Sequence, residues 1–314
     1  MSAAIDVRGL RKSYGEKLVL DGIDLNVAEG TIFSLLGPNG AGKTTAVQIL
    51  STLVAADAGE IRVAGHDLHQ SPEAVRGAIG VTGQFSAVDG LMTGRENLIL
   101  MSDLHHLGKQ EARRRADELL EQFDLAEAGK KLASTYSGGM KRRLDLAMTL
   151  VGSPQIIFLD EPTTGLDPRS RHRMWTLIRE LVAGGVTVLL TTQYLEEADQ
   201  LADRIAVLDH GRLVAQGTAE ELKRLAPGGH IRLRFTSPEE FTLAGQVLPT
   251  AVPNPEALVL QVPNDGSVHA LRDLLARIDD ASLEVDELTV HTPDLDDVFF
   301  AVTGQPKSEE VTAR

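Results

Sequence analysis

The stretch Gly37-Pro38-Asn39-Gly40-Ala41-Gly42-Lys43-Thr44-Thr45 matches the pattern G-x-x-x-x-G-K-[ST]. An apolar, β-prone run, Ile32 to Leu36, precedes it, and Ala46 to Leu50 follows with a helical composition. Strand, glycine-rich loop and helix together make a phosphate-binding loop, because glycines let successive backbone N–H groups curve around an anion without Cβ interference. The helix opening at Gly42 to Thr44 adds unpaired N–H groups and the positive end of its dipole. In such a loop Lys43 reaches the β- and γ-phosphates of a nucleotide and the Thr44 hydroxyl holds Mg²⁺.

A second loop has related character. Tyr136-Ser137-Gly138-Gly139-Met140 leads into a helical run, Lys141 to Leu150. Ser137 is a natural N-cap and the glycines permit close approach, so this is a second helix end able to meet an anion, or simply a capped helix. Downstream, Ile156 to Leu159 is continuously apolar, as a parallel strand buried on both faces requires. It ends in Asp160-Glu161-Pro162, where ligand sites of open α/β sheets lie. Asp160 is suited to hold Mg²⁺ or its waters, and Glu161 to polarise an attacking water. A further strand, Val186 to Leu190, brings Thr191-Thr192-Gln193 to the same rim, and Ala78 to Thr82 leads to Gln84, whose amide could reach a metal ion or a water.

The rest of the first 225 residues fits around this frame. Ile5 to Leu10 and Leu18 to Val27 read as paired strands about a turn at Tyr14-Gly15-Glu16, with Ile23, Leu25 and Val27 alternating against Asp24 and Asn26. Tyr14 either stacks on a nucleobase or anchors the hairpin. Glu60 to Ala64 reads as another strand. Arg95 to Phe123 is helical, with Arg113 to Arg115 on a solvated face and His105 and His106 as surface histidines. Gly165-Leu166-Asp167-Pro168 is a turn before a helix running to Val182, and Arg204 to Leu208 closes the sheet.

In that order, the phosphate loop, Gln84, the Ser-Gly-Gly helix, Asp160-Glu161, Asp167 and Gln193 make the chain resemble an ATP-binding-cassette ATPase over about Ile5 to Leu222. Tyr136 to Met140 and Gln193, which stands where most cassettes carry histidine, are similar to the antibiotic-exporter subgroup, of which the daunorubicin-resistance ATPases are the familiar case. The fold implied is α/β: a phosphate-loop cassette with a mixed sheet, an antiparallel β-subdomain and a helical subdomain at about 85–150, followed by a small C-terminal α+β domain. The resemblance further implies an ATP- and Mg²⁺-dependent ATPase that powers export of a small molecule through a separate membrane permease. Two copies would form a head-to-tail homodimer around two nucleotides, one supplying Gly37 to Thr45 and the other Ser137, Gly138 and Gly139, with the Asp167 loop at the interface. Thr44, Gln84 and Asp160 would then face the metal, and Glu161, Gln193 and Lys43 would carry the chemistry. The place of work implied is the cytoplasmic face of the cell membrane.

Composition narrows the alternatives. The formal net charge of -14 counts against nucleic acid as a partner, since phosphate neutralisation needs clustered Lys and Arg. A cassette acting on ribosomes or DNA is the other reading, and such proteins usually carry two cassettes or long coiled coils. This chain has one phosphate loop and no sustained heptads. A third reading is a cassette that senses ATP and scarcely splits it. No stretch approaches the ~18 apolar residues of a membrane span, Met1 to Tyr14 lacks a signal-peptide core, and there is no cysteine for a disulfide or thiolate metal site.

Past a linker expected at Ala226 to Gly229 the texture changes. His230 to Phe235, Ala257 to Val262 and Ser282 to His291 read as strands, Ser267 to Ile278 as an amphipathic helix and Leu295 to Val302 as a short one. Residues 226–304 are thus expected to form the small α+β domain and residues 305–314 a disordered tail. The Leu295 to Phe299 end resembles the closing helix of drug-exporter ATPases.

Overall fold

A computed structural model describes residues 2–84, 86–226, 228–264 and 267–303. It divides into two compact units, Met1–Ala219 and Glu220–Arg314. The linker position Pro227 and the tail beyond residue 303 lie outside the described residues.

In the first unit the chain runs through β1 (Ala3–Tyr14), β2 (Lys17–Ala28), β3 (Ile32–Leu36), α1 (Lys43–Leu50), β4 (Ala58–Val63), β5 (His66–Asp67), α2 (Pro72–Ala78) and β6 (Ile79–Thr82). It continues through α3 (Gly94–Leu104), α4 (Lys109–Gln122), α5 (Gly138–Thr149), β7 (Ile156–Asp160), α6 (Pro168–Ala183), β8 (Thr187–Thr192), α7 (Leu195–Leu201), β9 (Arg204–Asp209) and β10 (Arg212–Gly217). Strands β2, β1, β4 and β5 form an antiparallel sheet in that order. A six-stranded sheet has the order β10-β9-β3-β8-β7-β6. Its strands from β9 to β6 are parallel and β10 pairs antiparallel at the edge, so it is mixed, as expected.

The apolar runs serve two cores because successive side chains of a strand point to opposite faces. Ile156 and Phe158 of β7 join Phe33, Leu35 and Leu189 in a core shared with α1 and the antiparallel sheet. Ile157 and Leu159 face the other way, into a core with Leu144, Leu146, Trp175 and Ile178. All five residues of β3 are buried, which is why that segment shows no polar alternation.

Several local readings differ from the structure. Ala78 ends helix α2 rather than opening a strand; Pro72 at the first helical position and Glu73 in the first turn were available signals. The helical stretch from Arg95 to Phe123 is two helices, α3 and α4, broken where His106 takes a φ of 58°. Thr93 caps α3 with a reciprocal capping box to Glu96.

The second unit contains β11 (His230–Arg234), α9 (Pro238–Val247), β12 (Val252–Asn254), β13 (Val259–Pro263), α10 (Val268–Asp280) and β14 (Glu287–His291), after a short α8 (Ala219–Lys223) at the boundary and before α11 (Leu295–Thr303). Its antiparallel sheet has the order β12-β13-β11-β14. The sequence β-α-β-β-α-β with that order is the split βαβ arrangement. Ile231, Leu233, Leu260 and Val262 pack with Ala244 of α9 and Leu274 of α10. Helix α9, which the sequence reading did not assign, lies between the expected strands at His230 to Phe235 and Ala257 to Val262, with Pro238 at its first position and Ser237 as its cap. The final strand is shorter than expected, starting at Glu287 rather than Ser282.

Candidate nucleotide site

Sheet register gathers the site at the carboxyl edge of the parallel strands. Leu36 at the end of β3 pairs with Thr192, and Asp160 at the end of β7 pairs with Thr191. The loop after β3 therefore emerges beside the ends of β7 and β8. The amide of Gly37 donates to the Thr192 carbonyl at 3.1 Å, which fixes the loop's first turn. A Cβ on Gly37 would come within 2.2 Å of the Leu208 carbonyl oxygen, so only glycine fits there. Gly42 precedes α1 with a φ of 112°, a backbone that favours glycine.

Lys43 folds back over this loop. Its Nζ donates to the carbonyls of Gly37 at 2.8 Å and Pro38 at 3.1 Å, and lies 3.5 Å from Glu161 Oε1. Burial pulls its pKa below the usual lysine value, opposed by attraction to Glu161 and Asp160. Thr44 is exposed and Thr45 half-buried at the start of α1; Asn39 and Gly40 are exposed, Pro38 half-buried, and Ala41 buried.

The acid pair follows directly. Thr191 Oγ1 donates to Asp160 Oδ1 at 2.5 Å and accepts the Glu161 amide at 3.1 Å. Thr164 Oγ1 donates to Glu161 Oε2 at 3.2 Å. Glu161 holds a φ of 49°, a left-handed conformation that a non-glycine residue adopts only when its surroundings enforce it. Among the described residues no cluster of three or more His, Cys, Asp or Glu is placed to hold a metal. The available donors are one hydroxyl, Thr44, and a carboxylate, Asp160. That set suits Mg²⁺, which takes one or two carboxylates plus substrate phosphates rather than an all-protein cage.

A second group forms around α5. Ser137 Oγ accepts the Met140 amide at 3.3 Å, capping the helix, and Ser137 and Gly138 are exposed. Buried Tyr136 anchors the loop by donating its hydroxyl to the Ala128 carbonyl at 2.7 Å. Gly139 faces Ser170 closely enough that a Cβ would lie 2.6 Å from its Oγ. Ser170 in turn donates its Oγ and its amide to Asp167, the cap of α6, at 2.6 and 3.0 Å, holding that carboxyl below the usual range. The structure thus joins Gly139 to Asp167 through Ser170. Among the described residues no hydrogen bond or ion pair joins Ser137, Gly138 or Gly139 to the phosphate loop.

The remaining candidates stand at the edges. Gln84 is exposed, and the carbonyl just before it, Gly83, is held by Arg142. Gln193 is half-buried immediately after β8. Tyr14 is 48% exposed with the Lys12 ammonium 5.3 Å from its ring centre.

Sequence reading missed two buried groups. Arg142 and Asp145 lie inside α5, and Arg142 bonds to four backbone carbonyls around the acid pair. Glu197 of α7 is fully buried, its Oε1 accepting from Trp175 Nε1 at 3.0 Å and Thr163 Oγ1 at 2.8 Å. Burial pushes the pKa of Glu197 up. A charged residue on the apolar face of a helix was the only signal available for either.

The family profile described as "ABC transporter" matches residues 20–164. The chain is 51% identical over 306 residues to the "Daunorubicin resistance ATP-binding protein DrrA3" of Streptomyces coeruleorubidus, covering 97% of each. It is 46% identical to the "Daunorubicin/doxorubicin resistance ATP-binding protein DrrA" of Streptomyces peucetius, covering 98% of this chain and 95% of that one. A "Nod factor export ATP-binding protein I" of Paraburkholderia xenovorans is 39% identical, with 96% and 98% covered. Among solved structures, one titled "Structure of ATP binding subunit of ABC transporter" superposes with a TM-score of 0.63 at 29% identity, over 70% of this chain and 92% of that one.

Proposed function

The chain belongs to the ABC transporter ATP-binding family, and on that premise we propose that it splits ATP to drive export through a separate membrane permease. The observation that carries this reading is the buried pair Lys43 and Glu161, 3.5 Å apart at the rim where the phosphate loop meets the end of β7. An ammonium and a carboxylate held this close to a phosphate cradle serve both halves of phosphoryl transfer to water.

In the proposed reaction the loop amides from Gly40 to Thr45 and Lys43 bind the β- and γ-phosphates, and Tyr14 packs on the base. Mg²⁺, when bound, would neutralise charge on the phosphate oxygens, held by Thr44 and Asp160 with Gln84 at its edge. Glu161 accepts a proton from the attacking water; the new P–O bond forms as the bond to the β–γ bridging oxygen breaks, and ADP keeps that oxygen. Gln193 donates a neutral hydrogen bond to the γ-phosphate.

Two copies would close head to tail. The exposed Ser137 and Gly138 and the half-buried Gly139, which bond to nothing in their own phosphate loop, would complete the other copy's site, with Asp167 alongside. Differential affinity of ATP for the closed pair is what drives the permease between conformations. No helix among the described residues is long and apolar enough to cross a membrane, so the chain would act peripherally, on the cytoplasmic side, with the surface around Gln84 and α3 against the permease. The drug-resistance and Nod-factor-export names of its relatives support a small-molecule cargo.

Glu161→Gln with Mg²⁺-ATP, examined by light scattering with and without the permease, tests the reading. A nucleotide-dependent dimer is expected; a protein that stays monomeric at every concentration overturns it.

A further inference from the structure

Arg142 has five N–H donors, and all five are committed. Its Nε donates to the Pro162 carbonyl at 2.9 Å. Its Nη1 donates to the Gly83 carbonyl at 2.8 Å and to Asp145 Oδ2 at 3.4 Å. Its Nη2 donates to the carbonyls of Asp160 at 3.0 Å and Glu161 at 3.2 Å. Asp145, one helical turn on, uses its other oxygen to accept the Ala87 amide at 3.0 Å. Arg142 is 9% exposed and Asp145 4%.

These contacts have a common geometry. Gly83 and Ala87 bracket Gln84, so the pair holds the loop carrying that amide from both ends. Asp160, Glu161 and Pro162 are consecutive, and the left-handed turn at Glu161 changes the course of the backbone there. Their three carbonyls all accept from one guanidinium. Both charged residues belong to the helix whose N-terminus is Ser137-Gly138-Gly139. A buried ion pair is a poor way to gain stability, because desolvation offsets most of its attraction. Its value is directional: a planar fork with every donor used fixes several backbone segments in one arrangement.

We propose that Arg142 and Asp145 are positioning residues that lock three parts of the reaction centre, the Gln84 loop, the Glu161 backbone and the Ser137 helix end, into one body. A shift of the Gln84 loop then moves the helix end that meets the other copy's nucleotide, and carries the Glu161 turn with it. No extra linkage is needed between the Gln84 loop and the Glu161 turn, because one guanidinium donates to the Gly83 carbonyl and to the backbone carbonyl of Glu161. The inference rests on the roles proposed above for Glu161, Gln84 and Ser137, and its test can fail independently of them.

The test compares the full-length protein with Arg142→Lys and Asp145→Asn. Lysine keeps the charge and most of the length but offers three donors from one atom, so it cannot span Gly83 and Pro162 together. Asparagine keeps an acceptor for Ala87 and removes the charge facing Arg142. Amide exchange is read first, without nucleotide. In Arg142→Lys, exchange at Ala87 and Thr164 is expected to rise by about tenfold or more, while amides of α1 such as Ala46 keep their rates. Asp145→Asn is expected to loosen Ala87 and leave Thr164 closer to the parent. Mg²⁺-ATP affinity and turnover follow. For Arg142→Lys a fall in kcat of about ten- to a hundredfold is expected, with affinity within about threefold of the parent.

Unchanged exchange at Ala87 and Thr164 overturns the proposal. So does a rise that extends equally through α1, or a loss of affinity matching the loss of kcat, since either marks a residue needed only for folding. A parent protein without turnover counts against the ATPase reading instead, and the exchange result still decides the coupling.

Discussion

The Nζ of Lys43 lies 3.5 Å from Oε1 of Glu161, and both side chains are buried. Neither group can be removed without leaving the other short of a partner. Glu161→Gln keeps the shape and the Thr164 contact but cannot take a proton from water. Turnover is expected to fall by about two to four orders of magnitude while Mg²⁺-ATP still binds. Lys43→Ala is expected to abolish tight binding. A steady-state assay paired with calorimetric titration separates the two, and normal hydrolysis by Glu161→Gln removes that residue from the chemistry.

Glu197 gives the first unit a pH dependence of known sign. Burial raises its folded pKa above the ordinary carboxyl value of 4.5. The folded state therefore binds more protons than the unfolded chain between those two values, so this residue lowers stability as pH rises through that window. Glu197→Gln keeps an acceptor for Trp175 and Thr163 without ionising. Its stability relative to the parent is expected to increase from pH 4.5 upward until the raised pKa is passed. Urea unfolding across that range reads the difference, and parallel curves contradict it.

Two glycines of the site are expected to fail in different ways. Gly37→Ala drives a Cβ to 2.2 Å from a backbone oxygen, Leu208 O, and is expected to cost about 1–3 kcal/mol of stability. Gly138→Ala meets no atom within 4 Å in its own chain. It is expected to melt like the parent yet lose turnover, because the added methyl would stand between the helix end and the other copy's phosphate. A Gly138→Ala protein with full activity argues against a shared site.

Gln193 offers neutral hydrogen bonds where a histidine could offer a charged one, and charge-assisted bonds are about twice as strong. Gln193→Ala is expected to slow turnover and Gln193→His to change it, with a dependence on pH near the imidazole pKa. If neither variant differs from the parent, Gln193 makes no contact with the γ-phosphate.

Much of this molecule was legible because its chemistry is contiguous. Gly37 to Thr45 is one uninterrupted run, and Asp160-Glu161 closes a run of apolar residues, so the local pattern states both the element and its end. Arg142 was illegible for the opposite reason. Its partners are carbonyls of residues 83, 160, 161 and 162, and backbone carbonyls carry no residue-type signature. Glu197 was hidden similarly, since nothing in Glu196-Glu197 marks which of the two carboxylates turns inward to accept from Trp175 Nε1. The break between α3 and α4 turns on a left-handed His106 and an extended Gly108, neither of which apolar periodicity weighs.

The φ of 49° at Glu161 reaches beyond mechanism. At that backbone angle glycine or asparagine is more comfortable than glutamate. Random variants screened only for survival of heat would be pulled two ways at position 161, since either residue relieves the backbone but leaves the buried Lys43 ammonium without its carboxylate, and on the role proposed for Glu161 any that won would no longer turn over ATP. Any programme to toughen this protein must hold that single codon fixed and seek its gains elsewhere.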